Sequence, residues 1–142
     1  MIAGDILAFR LGRQRFGLKA AVVREVFHLT APTPVPLAPA FVVGLMNQRG
    51  RVITLICARL LLQMRPRGAA GVVVGFEVDG DSFGLIVDGV EGVVTPDPGP
   101  LAPPHDLPAA IAGPSNGICR VNGRPVTLLD PARLVDFEVT IA

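Results

Sequence analysis

The chain contains no tryptophan and no tyrosine, a single lysine among thirteen basic residues, two cysteines and two histidines in 142 residues. Each scarcity removes a class of function. Bases of a nucleic acid need aromatic faces to stack on, and the arginines Arg10, Arg13 and Arg15 have only Phe9 and Phe16 beside them; a basic stretch alone supplies unspecific attraction to phosphate. No nucleic-acid partner is expected. Cys57 and Cys119 stand far apart in apolar surroundings, as reduced cysteines that act as small buried hydrophobes do. Two distant cysteines with two distant histidines, His28 and His105, give no metal-ligand spacing, so neither a metal nor another cofactor is expected.

Long hydrophobic runs are missing too. Half the residues are hydrophobic, yet the apolar runs are a few residues long and are cut by Gly, Pro or Arg. That is far from the ~20 residues a membrane-spanning helix requires. The start, Met1-Ile2-Ala3-Gly4-Asp5, lacks the basic region and apolar core of a secretory signal, which gives an expectation of a cytoplasmic protein without membrane insertion. Catalytic motifs are scarce as well: there is no Gly-x-Ser-x-Gly elbow, no phosphate-binding glycine loop and no His-Glu-x-x-His helix. His28 follows a strand-like segment and His105 sits among prolines, neither with an obvious partner. Asp79-Gly80-Asp81 reads as a hairpin turn, Asp88-Gly89 as another, and Pro100-Leu101-Ala102-Pro103 as loop rather than as a proline-rich ligand. No enzyme is expected from these residues.

What the chain does have is arginine, glycine, proline and β-branched residues. Its net charge is only +1, but up to Arg67 ten basic residues face only Asp5 and Glu25, a balance of +8, and from Gly68 onward three arginines face ten acids, a balance of −7. Such asymmetry concerns association, either between the two halves or between molecules head to tail, which gives an expectation of salt-dependent self-association.

Ile6–Leu11, a turn at Gly12-Arg13 and Arg15–Leu18 read as a β-hairpin, followed by an extended Val22–Phe27. Pro32, Pro34, Pro36 and Pro39 mark a connecting loop. Phe41-Val42-Val43 then enters an Asn47-Gln48-Arg49 corner between Gly44 and Gly50, and Val52-Ile53-Thr54 leaves it. Arg59–Met64 has room for one or two helical turns, stopped by Pro66 and Gly68.

The pattern recurs. A shift of 67 sets Phe76-Glu77-Val78 under Phe9-Arg10-Leu11, Phe83-Gly84-Leu85 under Phe16-Gly17-Leu18, and Val90 and Val93 under Val23 and Val26. A shift of 73 sets Gly117 under Gly44, Gly123-Arg124 under Gly50-Arg51, and Val126–Leu129 under Ile53–Ile56. The chain therefore reads as one domain over 1–142 with repeated halves of about 6–67 and 72–137. A unit of roughly five short strands buries little surface alone, whereas two packed copies share a core and leave a groove between them. The corners differ: Asn47-Gln48-Arg49 in one, Arg120-Val121-Asn122 in the other. Glu25 is one of two acids in the basic half, and a strand running beside the corner would pair it with Arg49.

Taken in order, Phe9-x-Leu11-Gly12, Phe16-Gly17-Leu18, Val23-Arg24-Glu25-Val26, Thr33-Pro34-Val35-Pro36, Gly44-x-x-Asn47-x-Arg49-Gly50, Gly84–Val90 and Leu128-Leu129-Asp130-Pro131-x-Arg133-Leu134 resemble the CheW family of chemotaxis coupling proteins, over nearly the whole chain from Ile6 to Val135. The resemblance implies an all-β fold of two intertwined five-stranded SH3-like barrels with a short helix or two. It also implies a non-catalytic adaptor joining the cytoplasmic tip of chemoreceptors to the regulatory domain of the histidine kinase CheA. Carried onto this chain, the implied receptor-binding residues are Val23, Glu25 and Arg49, with Phe83, Gly84 and Val87 as the opposite wall of the groove; the implied kinase contacts are Val43 and Gly44. The chain departs from the family pattern in Gln48, where an apolar residue is usual, and in Cys57-Ala58-Arg59, where Asp-Leu-Arg is usual. The alternative is a small β-barrel ligand-binding protein or enzyme that uses the groove between the barrels as a pocket.

Overall fold

Alternation of apolar and polar residues dictates short strands, and the computed structural model, which describes residues 4–66 and 71–137, contains ten of them in those residues. They are β1 (Ile6–Leu11), β2 (Gln14–Lys19), β3 (Val23–His28), β4 (Val42–Gln48), β5 (Arg51–Cys57), β6 (Val72–Val78), β7 (Asp81–Val87), β8 (Gly89–Val94), β9 (Ser115–Val121) and β10 (Arg124–Leu129). Three single-turn helices, α1 (Ala58–Leu61), α2 (Ala109–Ala112) and α3 (Pro131–Leu134), complete the elements with a 3-10 turn at Ala20–Val22. Met1–Ala3 of the start that lacks signal features, and Arg67 and Gly68 at the junction of the halves, lie outside the described residues.

The strands form two five-stranded sheets, ordered β8-β1-β2-β10-β9 and β3-β6-β7-β5-β4. Each sheet takes one hairpin from one half of the chain and three strands from the other, so the halves are intertwined. The two registers coincide under the sequence shifts. Parallel pairing sets Thr127 opposite Phe16 in the first sheet and Thr54 opposite Phe83 in the second. A bulge at Glu91 interrupts the pairing of β8 with β1, and another at Arg24 interrupts that of β3 with β6.

Side chains on successive strand residues point to opposite faces, and both faces of the inner strands find apolar neighbours. Leu7, Phe9, Phe16 and Leu18 from the first sheet meet Ile56, Val74, Phe76 and Leu85 from the second in one shared core. On its other face each sheet curls over a small cluster of its own: Ile6, Cys119, Val121, Val126 and Leu128 in the first, Met46, Ile53, Leu55 and Val73 in the second. Phe9 stacks with Phe16 at 5.9 Å and Phe76 with Phe83 at 5.8 Å. Both cysteines are free thiols; Cys119 is buried as expected, with burial pushing its pKa up, whereas Cys57 is only half-buried.

Two glycines are explained by crowding. A Cβ at Gly84 would lie 2.6 Å from Val73 Cγ1 and 2.9 Å from Leu55 Cδ2, inside the second sheet's own cluster. Gly44, at φ +154°, sits in the β4–β5 bulge, where a Cβ would fall on the Thr33 carbonyl of the proline loop. That loop is pinned there by reciprocal hydrogen bonds between the backbones of Thr33 and Leu45, both 2.8 Å.

One expectation is corrected. Asp88-Gly89 is not a hairpin turn, because β7 and β8 belong to different sheets and Asp88 is the crossing point. Its carboxylate accepts hydrogen bonds from Gly12 N at 2.6 Å and Arg59 Nε at 3.0 Å, and also receives Arg59 Nη2. Arg59 and Asp88 are 14% and 15% exposed, and the bond to Asp88 raises the Arg59 pKa further. The pair ties the first helix, the β1–β2 turn and the crossover together.

The sequence asymmetry of charge is met in part within the molecule, by four of the ten first-half bases and three of the ten second-half acids. Arg15–Glu91, Arg24–Glu77, Arg51–Glu77 and Arg59–Asp88 each join a base of the first half to an acid of the second. Strand exchange brings these partners within reach, since it lays first-half strands beside second-half ones in both sheets.

Candidate functional site

At the end of the second sheet, the β3 bulge, the β4–β5 turn and the β6–β7 hairpin surround a cleft of about 310 Å³. A bulge redirects a side chain that a regular ladder would turn away, and this one presents Arg24 and Glu25 side by side at the cleft mouth. Phe83, stacked on Phe76, forms the apolar floor, and Gln48 and Arg51 line the turn side.

Arg49 occupies the first position of a two-residue turn, at φ +52°, with Gly50 at +81°. Two other hairpins use the same geometry with residues better suited to it: Asp79 at +51° before Gly80, and Asn122 at +52° before Gly123. The left-handed conformation costs an ordinary side chain about 1–2 kcal/mol, less for Asn and Asp, which bond locally. The local sequence still enforces the turn, because Asn47 Oδ1 accepts a hydrogen bond from Gly50 N at 2.9 Å. Arginine is therefore a poor choice for the turn itself. Its side chain is 83% exposed and its Nη1 lies 3.9 Å from Glu25 Oε2, the pairing expected from the sequence. At that distance and exposure the ion pair contributes little to stability, ~0.2–1 kcal/mol at most; it orients two charges at the edge of the cleft.

A second, tighter charge set crosses the same sheet end. Glu77 accepts from Arg24 Nη2 at 2.8 Å and from Arg51 Nη1, and these two bonds, the Arg51 one foremost, hold the Glu77 carboxyl below its usual pKa. Sequence reasoning missed this triplet. The signal was present in the repeat, where Glu77 stands beneath Arg10 with reversed charge.

The expected site residues separate into three groups. Glu25, Arg49 and Phe83 meet around one cleft. Val23 lies next to it on β3, half-buried and packed against the shared core. Gly84 and Val87 do not reach this surface: Val87 is 2% exposed in the shared core, and Gly84 is buried among Val73, Leu55 and Ile53. All six belong to the second sheet or its turn, so Phe83, Gly84 and Val87 are not an opposite wall contributed by another barrel. Of the other two, Val43 is half-buried against the second sheet's cluster and Gly44 is covered by the Thr33 segment.

The cleft offers guanidinium, carboxylate, amide and aromatic surface. Among the described residues there is no group of three or more His, Cys, Asp or Glu able to hold a metal ion, and no helix long and apolar enough to cross a membrane. Two exchanged sheets carrying a polar, aromatic-floored cleft at one end define a two-sheet β protein with an open surface site.

Comparison with known proteins agrees. The chain belongs to the CheW-like family: the model of the CheW-like domain matches residues 5–139. It is 30% identical over 129 residues to the chemotaxis protein CheW of Rhizobium meliloti (strain 1021), covering 89% of this chain and 83% of that one. To the chemotaxis protein CheW of Thermotoga maritima it is 26% identical over 141 residues, covering 96% and 90%. The fold matches that of the scaffolding protein TtCheW from Thermoanaerobacter tengcongensis with a TM-score of 0.86 at 24% identity, over 99% of this chain and 98% of that one. The chain is thus a chemotaxis scaffold or adaptor of a non-enzymatic family, with the SH3-like two-sheet architecture that the resemblance implied. Of the alternative, a small β-barrel ligand-binding protein or enzyme using the groove, the enzyme half is set aside by this membership.

Proposed function

We propose that this chain couples chemoreceptors to the histidine kinase CheA in the cytoplasm, gripping the receptor tip at the cleft of the second sheet and docking the kinase regulatory domain elsewhere on the barrels. The whole chain acts as one unit with repeated halves of about 6–67 and 72–137. The observation that carries the receptor assignment is Arg49, an exposed arginine held in a turn position that favours Asn, Asp or Gly, 3.9 Å from Glu25 and above the Phe83 floor. A residue that the turn does not need is free to serve a partner. Val23 flanks the grip; Gly84 and Val87 serve it indirectly by packing the strand that carries Phe83. For the kinase, Val43 is the residue a partner can touch, with Gly44 acting through the loop it admits.

Signalling in this reading is a change in the geometry of the ternary assembly, with no chemistry on the adaptor. Salt-dependent head-to-tail self-association is part of the proposal: four cross-half ion pairs engage some of the charges that suggest it, and the rest of the asymmetry is left to act between molecules. Sedimentation at low and high salt tests it, and association indifferent to ionic strength removes it. The receptor assignment is tested by pull-down with purified kinase and receptor using Arg49→Ala. The expected result is loss of receptor with kinase retained; retention of both overturns the site.

A further inference from the structure

The first sheet carries a cleft in the position equivalent to the receptor cleft, and its charges are different. It is larger, about 740 Å³, and its lining includes Arg10, Arg13, Arg15 and Arg124 with Glu91 as the one acid. Arg10 stands directly opposite Arg15 in the β1–β2 ladder. Like charges so placed disfavour the pairing, and the second sheet avoids this by having Glu77 opposite Ser82 at the same point. Glu91 satisfies Arg15 alone, through bonds of 3.0, 3.1 and 2.7 Å to its two carboxylate oxygens.

Both walls of this cleft are fixed in advance. The Asp88 carboxylate accepts from Gly12 N and so holds the turn that bears Arg13. The Asp97 carboxylate accepts from Asn122 N at 3.0 Å and Gly123 N at 2.8 Å, holding the turn that precedes Arg124. Preorganised donors bind with a smaller ordering penalty than mobile ones. The cations are all arginines, whose planar forks suit carboxylates, and Glu91 on Arg15 shows that mode in place. Arg13, Arg15 and Arg124 also border an adjoining slot of about 450 Å³ floored by Phe16, Ile111 and Pro125. A string of carboxylates with an apolar side chain next to it matches both surfaces; a bare phosphate backbone matches only the first.

We infer that the cleft formed by Arg10, Arg13, Arg15 and Arg124 at the end of the first sheet is a second docking site, and that its occupant is an acidic peptide segment of a partner protein carrying an adjacent apolar residue. This site is separate from the receptor cleft and stands whether or not that assignment does.

The test uses a fluorescein-labelled peptide with four glutamates around one leucine, titrated against the full chain by anisotropy. Single-stranded DNA of equal charge and inorganic phosphate are the comparison arms. Expected are binding of the peptide in preference to DNA, and about tenfold weakening on going from low to high salt, as for an exposed charge-steered contact. Arg10→Glu, which gives this cleft the acid its counterpart has, should weaken binding about tenfold or more. The milder Arg13→Gln and Arg124→Gln should each weaken it several-fold, and Lys19→Gln, an exposed charge at the far end of β2, should leave it unchanged. Amide shifts at Gly12, Arg13 and Val121–Arg124 should mark the site, with circular dichroism checking that each variant is folded. Absence of peptide binding at low salt, stronger binding of DNA or phosphate, or equal affinity in folded Arg10→Glu, Arg13→Gln and Arg124→Gln overturns the proposal.

Discussion

The two clefts occupy the same place in two sheets of the same strand order, yet one sets two acids against three arginines and the other one acid against four. In the second sheet Glu77 joins Arg24 and Arg51, and Glu25 faces Arg49. In the first sheet the equivalent of Glu77 is Arg10, the equivalent of Ser82 is Arg15, and Glu91 is the one acid in a lining with four arginines. The shared core, by contrast, repeats closely, with Phe9 and Phe76, Phe16 and Phe83, Leu18 and Leu85 at equivalent positions, and Gly17 and Gly84 repeat likewise against each sheet's own cluster. The packing tolerates little variation between the copies because both sheets must close on the same core. The sheet ends project into solvent and have been free to diverge, and that freedom is where partner recognition can be written.

The comparison breaks first, if it breaks, in the core. Phe9→Ala and Phe76→Ala remove fully buried rings at equivalent positions and should each lower stability by about 3–5 kcal/mol. Urea denaturation that finds one of them nearly neutral would show that the sheets are not equivalent in packing. Next comes the clamp at the crossover. Arg59→Ala removes the guanidinium bonds that join the first helix to the largely buried Asp88 and should cost about 2 kcal/mol, whereas Arg24→Ala at the exposed cleft of the second sheet should leave the denaturation midpoint nearly unchanged. Equal losses from the two would contradict the distinction drawn between a structural and a surface pair.

The turn gives a smaller effect of opposite sign. Arg49→Asn copies the residue that Asn122 supplies in the equivalent hairpin and should raise stability by up to about 1 kcal/mol, read as a higher thermal midpoint. The smallest effect concerns pH. The Glu77 carboxyl titrates lower when folded than when unfolded, so its contribution is present above the ordinary carboxylate range and is lost as pH falls through its folded value. Replacing both Arg24 and Arg51 by Gln should remove that part of the acid sensitivity; an unchanged acid profile would contradict it.

Much of this was legible from residue order. Alternation in Ile6–Leu11 and Arg15–Leu18 marked a hairpin that begins and ends within a residue of β1 and β2, and the pairing of Arg49 with Glu25 followed from an arginine at a corner with few acids available to it. Strand exchange was not legible as pairing, since a repeat shows that two copies exist without showing which hairpin joins which sheet. The same gap hid Arg15–Glu91 and Arg24–Glu77, which depend on exchange, and made Asp88-Gly89 resemble a turn. Gly84 and Val87 were misplaced for a different reason. A glycine that admits a neighbour's side chain and one that opens a groove look alike in sequence, and only Val73 and Leu55 lying against Gly84 separate them. The cap of the first helix is a further difference: Asp130 accepts from Ala132 N at the start of α3, whereas Cys57, where the family's acid would stand, makes no such bond before α1.

The central claim is that Arg49 is present for a partner and not for the turn. The direct measurement is the affinity of a purified receptor-tip fragment for the wild-type chain and for Arg49→Asn, which keeps the hairpin geometry. Weakening of about tenfold or more in a protein at least as stable as wild type is the expected result; unchanged affinity would contradict the account.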